Sequence, residues 1–264
     1  MAYEDITLAI EGGLATVTLK RPDALNAISL QMLADLDAAL DEITAPDSGV
    51  RCLLLTGAGR GFCAGADLAG GGGIQGQGPI DLGHVLERHY NPLIQRLGAL
   101  PMPFVTAVNG PAAGAGMSFA IAGDIVVAAR SAYFLQAFVN IGLVPDAGST
   151  YVLPRLVGRA RAQAMMMLGE KIPAETAADW GLIYQVVDDD ALMDTARALA
   201  TKLANGPTQA YARIRGAMRA SLDSSLADQL HLERVLQREL GGTEDFREGV
   251  AAFLQKRPAA FTGR

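Results

Sequence analysis

The sequence predicts an α/β protein, in which buried strands alternate with amphipathic helices and a wholly helical region follows. Three observations lead to this prediction. Two short runs without charge, at residues 52–55 and 103–108, are typical of strands buried on both faces. Residues 31–43 place apolar side chains at helical spacing. After Asp188 the helical pattern continues to Lys256, interrupted only by turns that contain glycine.

This pattern divides the chain into two regions. We place an α/β core at residues 1–190 and a helical region at residues 191–264. The helical region is too small to bury a core of its own, so we expect it to pack on the α/β core or on a neighbouring subunit. The whole chain of 264 residues is long enough for a substantial core, and it contains no internal repeat or evident linker.

The first half of the core contains a predicted hairpin, a helix and a buried strand. Alternating apolar residues at 6–10 and 14–19 flank Glu-Gly-Gly, which predicts a β-hairpin. The helix at 31–43 and the buried strand at 52–55 come next. A loop rich in glycine then leads into a Gly/Gln-rich stretch from Gly70 to about residue 80, which we expect to be mobile.

The second half of the core continues the alternation. Residues 82–97 have a helical pattern, and a buried strand at 103–108 follows. Gly114 opens a short helix of small residues. Further strands are predicted at 125–129 and 183–187.

Composition and charge exclude several classes of function. The chain is 50% hydrophobic and 19% charged, which excludes a disordered protein, and its net charge of −6 argues against nucleic-acid binding. Residues 97–123 carry no charge, but prolines and glycines break this stretch into pieces shorter than the ~20 apolar residues of a membrane span. Cys52 and Cys63 are too few for a disulfide framework or a zinc site. We therefore expect a cytoplasmic protein without a secretory signal, a metal or a membrane segment.

Two glycine-rich turns follow buried strands, at residues 59–68 and 109–116. A turn of this kind presents backbone N–H groups at the start of a helix, where the helix dipole favours negative charge. Two such turns at the ends of adjacent strands would be able to aim two N–H donors at one oxygen, which is an oxyanion hole. From the residues alone, tight packing and a phosphate site remain open, although neither turn matches a P-loop or a clear dinucleotide-binding motif.

Three ordered motifs resemble the enoyl-CoA hydratase/isomerase, or crotonase, superfamily. They lie at residues 62–68 (FCAGADL), 109–116 (NGPAAGAG) and 143–150 (LVPDAGST). The resemblance extends over nearly the whole chain. It implies a crotonase-type (ββα)n spiral core with a C-terminal helical oligomerisation region, assembled as a homo-oligomer, either a trimer or a hexamer. It also implies an acyl-CoA substrate, with CoA entering as part of that substrate and no separate cofactor.

The resemblance implies roles for particular residues. The backbone N–H groups of Ala66 and Ala115 would bind the thioester carbonyl oxygen, and Asp146 would transfer the proton. The positions that would bind CoA or the acyl group are Ala24, Leu25, Ala64, Gly65, Asp67, Leu68, Gly114, Phe138, Phe253 and Lys256.

Two parts of the implied CoA site lie outside the glycine-rich turns. Phe253 and Lys256 match positions that reach CoA from an adjacent subunit. The CoA phosphates need local cations in an acidic chain. The candidate cations are Lys20, Arg21, Lys256 and Arg257.

The sequence departs from the hydratases of this superfamily at the catalytic positions. Those hydratases add water with two glutamates, and the matching positions here are Ser118 and Phe138. Asp146, in the third motif, is the carboxylate that remains near the implied site, and one carboxylate can remove a proton from one carbon and return it to another. On the residues alone, the Pro-Asp-Ala-Gly segment is more typical of a turn or a helix N-cap than of a catalytic carboxylate, and it is the resemblance that favours the catalytic role.

These features predict an isomerase that acts on acyl-CoA thioesters through an enolate held in an oxyanion hole. Further blocks, at residues 51–65, 90–93, 180–189 and 246–250, resemble the branch of the superfamily that converts ring-1,2-epoxyphenylacetyl-CoA to oxepin-CoA in phenylacetate catabolism. Isomerisation of 3-enoyl-CoA to 2-enoyl-CoA is the related reaction that we also expect. Phe138 would make the acyl pocket apolar, as suits a ring.

Three alternatives remain open from the sequence. The first is an enoyl-CoA hydratase that activates water with Asp146 alone. The second is a serine hydrolase that uses Ser118, which would need a base in reach, and the histidines are His84, His89 and His231. The third is a non-catalytic acyl-CoA-binding scaffold, because a fold does not determine a function.

Overall fold

The computed structural model describes residues 3–68 and 81–264. The glycine-rich stretch predicted to be mobile lies outside the described residues.

A six-stranded sheet forms the centre of the core. Its strands are β1 (Ile6–Glu11), β2 (Leu14–Leu19), β3 (Cys52–Gly57), β4 (Phe104–Val108), β6 (Ile125–Ala129) and β9 (Gln185–Val187), in the order β1-β2-β3-β4-β6-β9. The β1–β2 hairpin is antiparallel and every other pair is parallel. The carboxyl ends of β3 and β4 therefore lie side by side at one edge of the sheet.

A second sheet of three short strands lies beside the first. Its members are β5 (Ala112–Ala113), β7 (Tyr133–Leu135) and β8 (Lys171–Pro173), with β5–β7 parallel and β7–β8 antiparallel. β5 belongs to the second glycine-rich turn, so this sheet ties that turn to the segment around residue 135.

The helices alternate with the strands and then continue alone to the C-terminal region. They are α1 (Leu30–Thr44), α2 (Leu82–Val85), α3 (Asn91–Gly98), α4 (Ala115–Ala120), α5 (Ser149–Leu168), α6 (Ala174–Asp179), α7 (Leu192–Ala204), α8 (Thr208–Ser221), α9 (Leu226–Leu240) and α10 (Glu244–Gln255). A π-helical turn (Leu86–Tyr90) joins α2 to α3. Among the described residues, no helix has the length and apolar character needed to cross a membrane.

Most predicted elements of the core are confirmed. The hairpin, α1 and the strands after residues 51, 103 and 124 lie where the sequence places them. The predicted helix at 82–97 is interrupted by the π turn, and the last strand begins at Gln185, two residues later than expected. The sequence does not reveal α5, because Pro154 lies inside this helix and Gly158 adopts a non-helical conformation with φ 76°.

Small residues allow the first helix of the C-terminal region to pack directly on the sheet. α7 packs against β3, β4 and β6. Ala196, Ala200 and Ala204 recur every four residues on its buried face, so they form one stripe that lets the helix approach the strands closely. Residues that follow the predicted boundary at 190 thus bury part of the core sheet, and the boundary itself stays a prediction.

Two arginines attach the later helices to the amino ends of the strands. Arg51, just before β3, donates to Thr208 Oγ1 at 2.9 Å, to Phe261 O at 3.0 Å and to Gly206 O. Arg215 of α8 pairs with Asp124 at 2.6 Å and donates to the carbonyls of Leu97, at 3.0 Å, and Leu100. Each arginine donates to carbonyl groups at the ends of loops or helices and so links segments that are distant in the sequence.

Replacing Arg215 with alanine should therefore loosen α8 from the core. We expect Arg215→Ala to lower the free energy of unfolding by about 2 kcal/mol, because it removes three donor contacts and leaves Asp124 without its cation. Chemical denaturation followed by circular dichroism measures the change. The matched control is Arg213→Ala, on the same helix, whose exposed ion pair with Glu239 should contribute less than about 1 kcal/mol. Equal losses in the two variants would contradict this account.

Candidate active site

Backbone hydrogen bonds join the two glycine-rich turns into one unit. The N–H groups of Phe62 and Cys63 both donate to Pro111 O, at 3.1 and 3.0 Å. The Ala113 N–H returns a bond of 2.9 Å to Cys63 O. Asn109 adds side-chain bonds, since its Nδ2 donates to Gly59 O at 2.9 Å. The turn after β3 is thus fixed against the turn after β4.

The close approach of these two turns requires glycine at two positions. A Cβ atom at Gly110 would lie 2.2 Å from Arg60 O, and one at Gly116 would lie 2.4 Å from Cys63 O. Neither neighbour can move freely, because both are backbone atoms. The glycine content of the second motif therefore follows from backbone contact between the turns.

The turns leave two backbone donors unused near each other. Neither the Ala66 nor the Ala115 N–H donates a hydrogen bond to any group within residues 3–68 and 81–264. A Cβ atom built on Gly65, the residue before Ala66, would lie 3.6 Å from the Ala115 nitrogen. Ala115 is the first residue of α4, where a helix leaves its N–H groups unpaired. An acceptor oxygen between the turns would meet donors of the type that stabilises an oxyanion.

The segment that precedes α1 forms the other side of the first turn. The Ala64 N–H donates to Leu25 O at 2.9 Å, and the Ile28 N–H donates to Gly65 O at 2.7 Å. Leu25 and Asn26 take positive φ values of 49° and 55°, and the buried Asn26 amide donates to Gly61 O at 2.8 Å. The predicted CoA-contacting residues Ala24 and Leu25 therefore lie beside the first turn.

Exposure alternates along the predicted CoA path. Ala64, Ala66 and Leu68 are exposed, whereas Gly65 and Asp67 are buried. The exposed side of this segment is accessible to a ligand. The buried side packs against the protein, and its Asp67 side chain forms an ion pair with Arg21.

The structure separates the four candidate cations into two groups. Arg21 pairs with Asp67 at 2.8 Å and with Asp5 at 3.6 Å, so the charge of Arg21 already has partners. Arg257 pairs with Glu248 through both of its terminal nitrogens, at 2.6 and 2.8 Å. Lys20 and Lys256, by contrast, form no ion pair with a described residue. The Asp67 carboxylate faces Arg21 and fixes the first turn to the segment before α1.

Asp146 lies in the turn that precedes α5, and its carboxylate is partly buried without a hydrogen bond from a described group to offset the loss of water. Its Oδ1 is buried and has no hydrogen-bond partner in the part of the chain that the structure describes. Burial raises its pKa from 3.8 to about 6. The N-cap of α5 is Gly148, with no side-chain capping bond, so Asp146 does not act as the N-cap. A carboxylate with few bonds and a raised pKa is suited to accept and return a proton.

The turn that carries Asp146 has an unusual backbone. Ala147 takes φ 49° and Gly148 takes φ 84°, so two successive residues adopt the left-handed conformation. For alanine this conformation costs roughly 1–2 kcal/mol. Such strain persists where surrounding contacts hold the chain in place, and it is frequent at functional sites.

Two aromatic side chains border this region. The Phe138 ring is buried, and its Cζ would lie 4.0 Å from a Cβ atom at Gly114, so Phe138 forms an apolar wall beside the second turn. Tyr90, at the end of the π turn, is also buried, and its pKa is raised first by burial and then by the charge of Asp146. Tyr90 belongs to the block at residues 90–93 that carries part of the family resemblance, but the sequence alone assigns it no role.

The structure gives Ser118 polar partners but no base. Its hydroxyl lies 2.7 Å from Ser149 Oγ and 3.3 Å from Asp146 O. All three histidines of the chain are exposed, and none hydrogen-bonds to Ser118. Burial raises the pKa of Cys63 to about 12, so this thiol is a neutral packed group. The constellation that a serine hydrolase requires is not formed among the described residues.

Phe253 and Lys256 lie away from the two glycine-rich turns. Both are exposed, at the end of α10, and no described contact joins them to residues 59–68 or 109–116. Phe253 lines an open apolar groove of about 730 Å³ between α8, α9 and α10. Within the described ranges, no group of three or more His, Cys, Asp or Glu side chains is placed to share a metal ion.

Comparison with known proteins identifies a family. A model of the family described as "Enoyl-CoA hydratase/isomerase" matches residues 9–264. A 1,2-epoxyphenylacetyl-CoA isomerase of Escherichia coli (strain K12) is 50% identical over 262 residues, which cover 99% of each chain. A Rhodobacter capsulatus protein named "Probable enoyl-CoA hydratase" is 49% identical over 264 residues, the whole of both chains.

Solved structures agree in fold. The crystal structure of an enoyl-CoA hydratase from Bacillus anthracis superposes with a TM-score of 0.92 at 30% identity, covering 99% of this chain and 100% of the other. The predicted α/β class and the crotonase-type fold are thereby confirmed.

Adding a methyl group at the contact between the turns should damage the site. We expect Gly116→Ala to lower the free energy of unfolding by about 2 kcal/mol and to reduce turnover, because its Cβ would meet the Cys63 carbonyl and thiol and displace the start of α4. The control is Gly216→Ala, in α8, where a Cβ meets nothing within 4 Å. That variant should gain about 0.5–1 kcal/mol and keep full turnover. Denaturation midpoints and turnover rates measured on both variants check the pair, and a stable, active Gly116→Ala protein would contradict the account.

Proposed function

The chain belongs to the enoyl-CoA hydratase/isomerase family, and we propose that within it this protein isomerises acyl-CoA thioesters through an enolate. One observation carries the proposal. Asp146 is a partly buried carboxylate with a raised pKa, and the two positions where the hydratases of this superfamily carry glutamates hold Ser118 and Phe138. A site with one carboxylate favours moving a proton over adding water.

In the proposed mechanism the thioester carbonyl accepts hydrogen bonds from the N–H groups of Ala66 and Ala115. Removing a proton from the carbon beside the carbonyl places negative charge on the carbonyl oxygen. Two donors held in advance by the rigid turns would stabilise that charge by about 3–4 kcal/mol each. Their unpaired state and their proximity support this role.

Asp146 acts as the base and then as the acid. Its carboxylate takes the proton from the carbon beside the carbonyl, and the resulting carboxylic acid returns the same proton to another carbon. No atom is gained or lost, and no redox partner is required. A base with a pKa near 6 accepts a carbon-bound proton more readily than an ordinary aspartate and is still ionised at neutral pH.

We propose ring-1,2-epoxyphenylacetyl-CoA, isomerised to oxepin-CoA, as the leading substrate, with 3-enoyl-CoA to 2-enoyl-CoA as the related reaction. Ring expansion breaks the C–C bond that the epoxide oxygen bridges and keeps both C–O bonds. The proton removed beside the carbonyl returns to a ring carbon, so the double bond moves into conjugation with the thioester. The name of the 50% identical relative and the apolar Phe138 ring support this choice. The non-catalytic scaffold is disfavoured because the base and both donors are retained.

CoA binding and assembly complete the proposal. Residues 64–68, with Ala24 and Leu25, would line the CoA path, and Lys20, which forms no ion pair with a described residue, lies shortly before Ala24 in the sequence. We propose a homo-oligomer, a trimer or hexamer, in which Phe253 and Lys256 of one subunit approach the CoA of another. Their exposure and the apolar groove on α8–α10 support a surface that is covered on assembly.

An enoyl-CoA hydratase is the second candidate. The 49% identical relative carries that name, and Asp146 alone would then have to activate water. The two functions differ in product. Assays of crotonyl-CoA hydration and of 3-enoyl-CoA isomerisation, run in parallel on one preparation, separate them, and fast hydration with negligible movement of the double bond would reverse the proposed order.

Removing the carboxylate charge of Asp146 should abolish isomerisation. We expect Asp146→Asn to lower kcat by about 10²–10⁴-fold, the contribution of a general base, and to leave the dissociation constant of a CoA thioester within a few-fold. Stopped assays give kcat, and calorimetry gives binding. Asp23→Asn, an exposed carboxylate beside the CoA segment, is the control and should keep its rate. An Asp146→Asn enzyme with the original rate would remove Asp146 from the mechanism.

The raised pKa of Asp146 also predicts two effects of pH. Turnover should halve as pH falls to about 6, because the base becomes protonated. The free energy of unfolding should instead increase as pH falls. Between pH 3.8 and about 6 the folded chain keeps a proton that the unfolded chain has released, so the free energy of unfolding falls as pH rises across this interval. The loss is on the order of 2 kcal/mol and persists at neutral pH.

Asp146→Asn isolates the loss of stability that ionisation of Asp146 causes, since the other titrating groups are common to both proteins. At pH 7 the variant should be more stable than the original protein, and below pH 4 the two should be equal. Urea denaturation at four or five pH values measures the difference. A variant that is less stable at pH 7 would show that the Asp146 charge is favourably solvated.

A further inference from the structure

We propose that Ser118 is a positioning residue for Asp146, acting as the last donor in a buried chain of hydrogen bonds. This inference rests on the proposed function, in which Asp146 transfers the proton. It assigns a role to a residue that stands where hydratases of the superfamily carry a glutamate. Ser118 does not contact the reacting atoms in this role, and it acts through the backbone of Asp146.

This hydrogen-bond chain has four members: three side chains from three different elements and the carbonyl group of Asp146. Gln136 Nε2 lies 3.2 Å from Ser149 Oγ, Ser149 Oγ lies 2.7 Å from Ser118 Oγ, and Ser118 Oγ lies 3.3 Å from Asp146 O. Gln136 follows β7, Ser118 belongs to α4 and Ser149 begins α5. All three side chains are at most 3% exposed.

The donors and acceptors in the hydrogen-bond chain all point in one direction, from Gln136 to Asp146. Gln136 Nε2 donates to Ser149 Oγ and to Met117 Sδ, each at 3.2 Å, while Gln136 Oε1 has no partner among the described residues, so Ser149 Oγ accepts in this arrangement. The Ser149 proton is then available for Ser118 Oγ, and the Ser118 proton is available for the Asp146 carbonyl. Each hydroxyl accepts one bond and donates one bond. A chain aligned in this way is stronger than its separate links, because each bond polarises the next.

The chain ends on the peptide group that sets the position of the Asp146 side chain. The Asp146 carbonyl also accepts from the Ser149 N–H at 3.0 Å, so two donors hold it. Neither carboxylate oxygen of Asp146, by contrast, accepts a hydrogen bond from a described group. Within the described residues, the carboxylate is therefore oriented by its backbone and by packing.

Backbone strain makes this support necessary. The next residue, Ala147, takes a left-handed conformation that alanine disfavours. Without the Ser118 bond, the turn has one donor fewer to hold it against relaxation. A base must lie within hydrogen-bond reach of its proton, and a displacement of about 1 Å can cost 10²-fold in rate.

The test compares two buried hydroxyls. Ser118→Ala removes the last donor of the hydrogen-bond chain. Thr106→Val removes another fully buried hydroxyl, which donates at 2.7 Å to Ala120 O at the end of the same helix, α4, and is not a member of the hydrogen-bond chain. Both variants should lose stability to a similar extent. We expect kcat to fall about 10- to 100-fold in Ser118→Ala with KM little changed, and to stay within about twofold of the original in Thr106→Val.

A pH profile supplies a readout that stability alone would not move. The aligned chain places the positive end of its last dipole near Asp146 and favours the ionised form. The acidic limb of the kcat profile should therefore shift to higher pH in Ser118→Ala and stay in place in Thr106→Val. Ser118→Cys keeps the volume with a weaker donor, and it should give an intermediate kcat. It serves as the test variant if the alanine protein does not fold.

Parallel measurement of Asp146→Asn separates the two proposals. If Asp146→Asn is inactive and Ser118→Ala or Ser118→Cys keeps the original kcat and pH profile, the positioning role is wrong and the proposed function stands. If Asp146→Asn keeps its rate, the proposed function fails and the positioning role fails with it. A loss of kcat in Thr106→Val equal to that in Ser118→Ala would reduce the role of Ser118 to stability.

Discussion

The contact between two turns at the carboxyl ends of β3 and β4 is the constraint on which the candidate site depends. Bonds from Phe62 and Cys63 to Pro111, and from Ala113 back to Cys63, bring two backbones so close that only glycine fits at the contact points. The same contact pairs the neighbouring donors, whereas the N–H groups of Ala66 and Ala115 have no acceptor among the described residues. A rigid scaffold that keeps donors unpaired before the substrate arrives is what electrostatic stabilisation of an enolate requires.

The proposed acid–base group is held in a different way from the two proposed donors. Asp146 has no hydrogen-bond partner on its carboxylate among the described residues, and it lies in a turn whose next residue is strained. The fold tolerates an unfavourable charge and an unfavourable backbone conformation at adjacent positions. Chemistry explains why such a combination would persist, since a carboxylate that is well solvated or well paired is a weaker base.

Much of this could be predicted from the sequence. The buried strands and the glycine-rich turns are local features, so uncharged runs and glycine spacing identified them. Contacts between distant segments could not be predicted in the same way. Arg21 resembled a free cation until the structure paired it with Asp67, 46 residues away. Gln136, Ser149 and Ser118 gave no signal as a group, because nothing in their spacing shows that three elements meet, and α5 was missed because Pro154 and Gly158 mask its periodicity.

The two arginines that attach the later helices lie at the opposite edge of the sheet from the glycine-rich turns. Arg51 and Arg215 act at the amino ends of the strands, while the turns extend from the carboxyl ends. The contacts that hold α8 and the C-terminal segment are thus separate from those that join the two turns. Substitutions at the helix anchors and substitutions at the turns can therefore be selected independently during divergence.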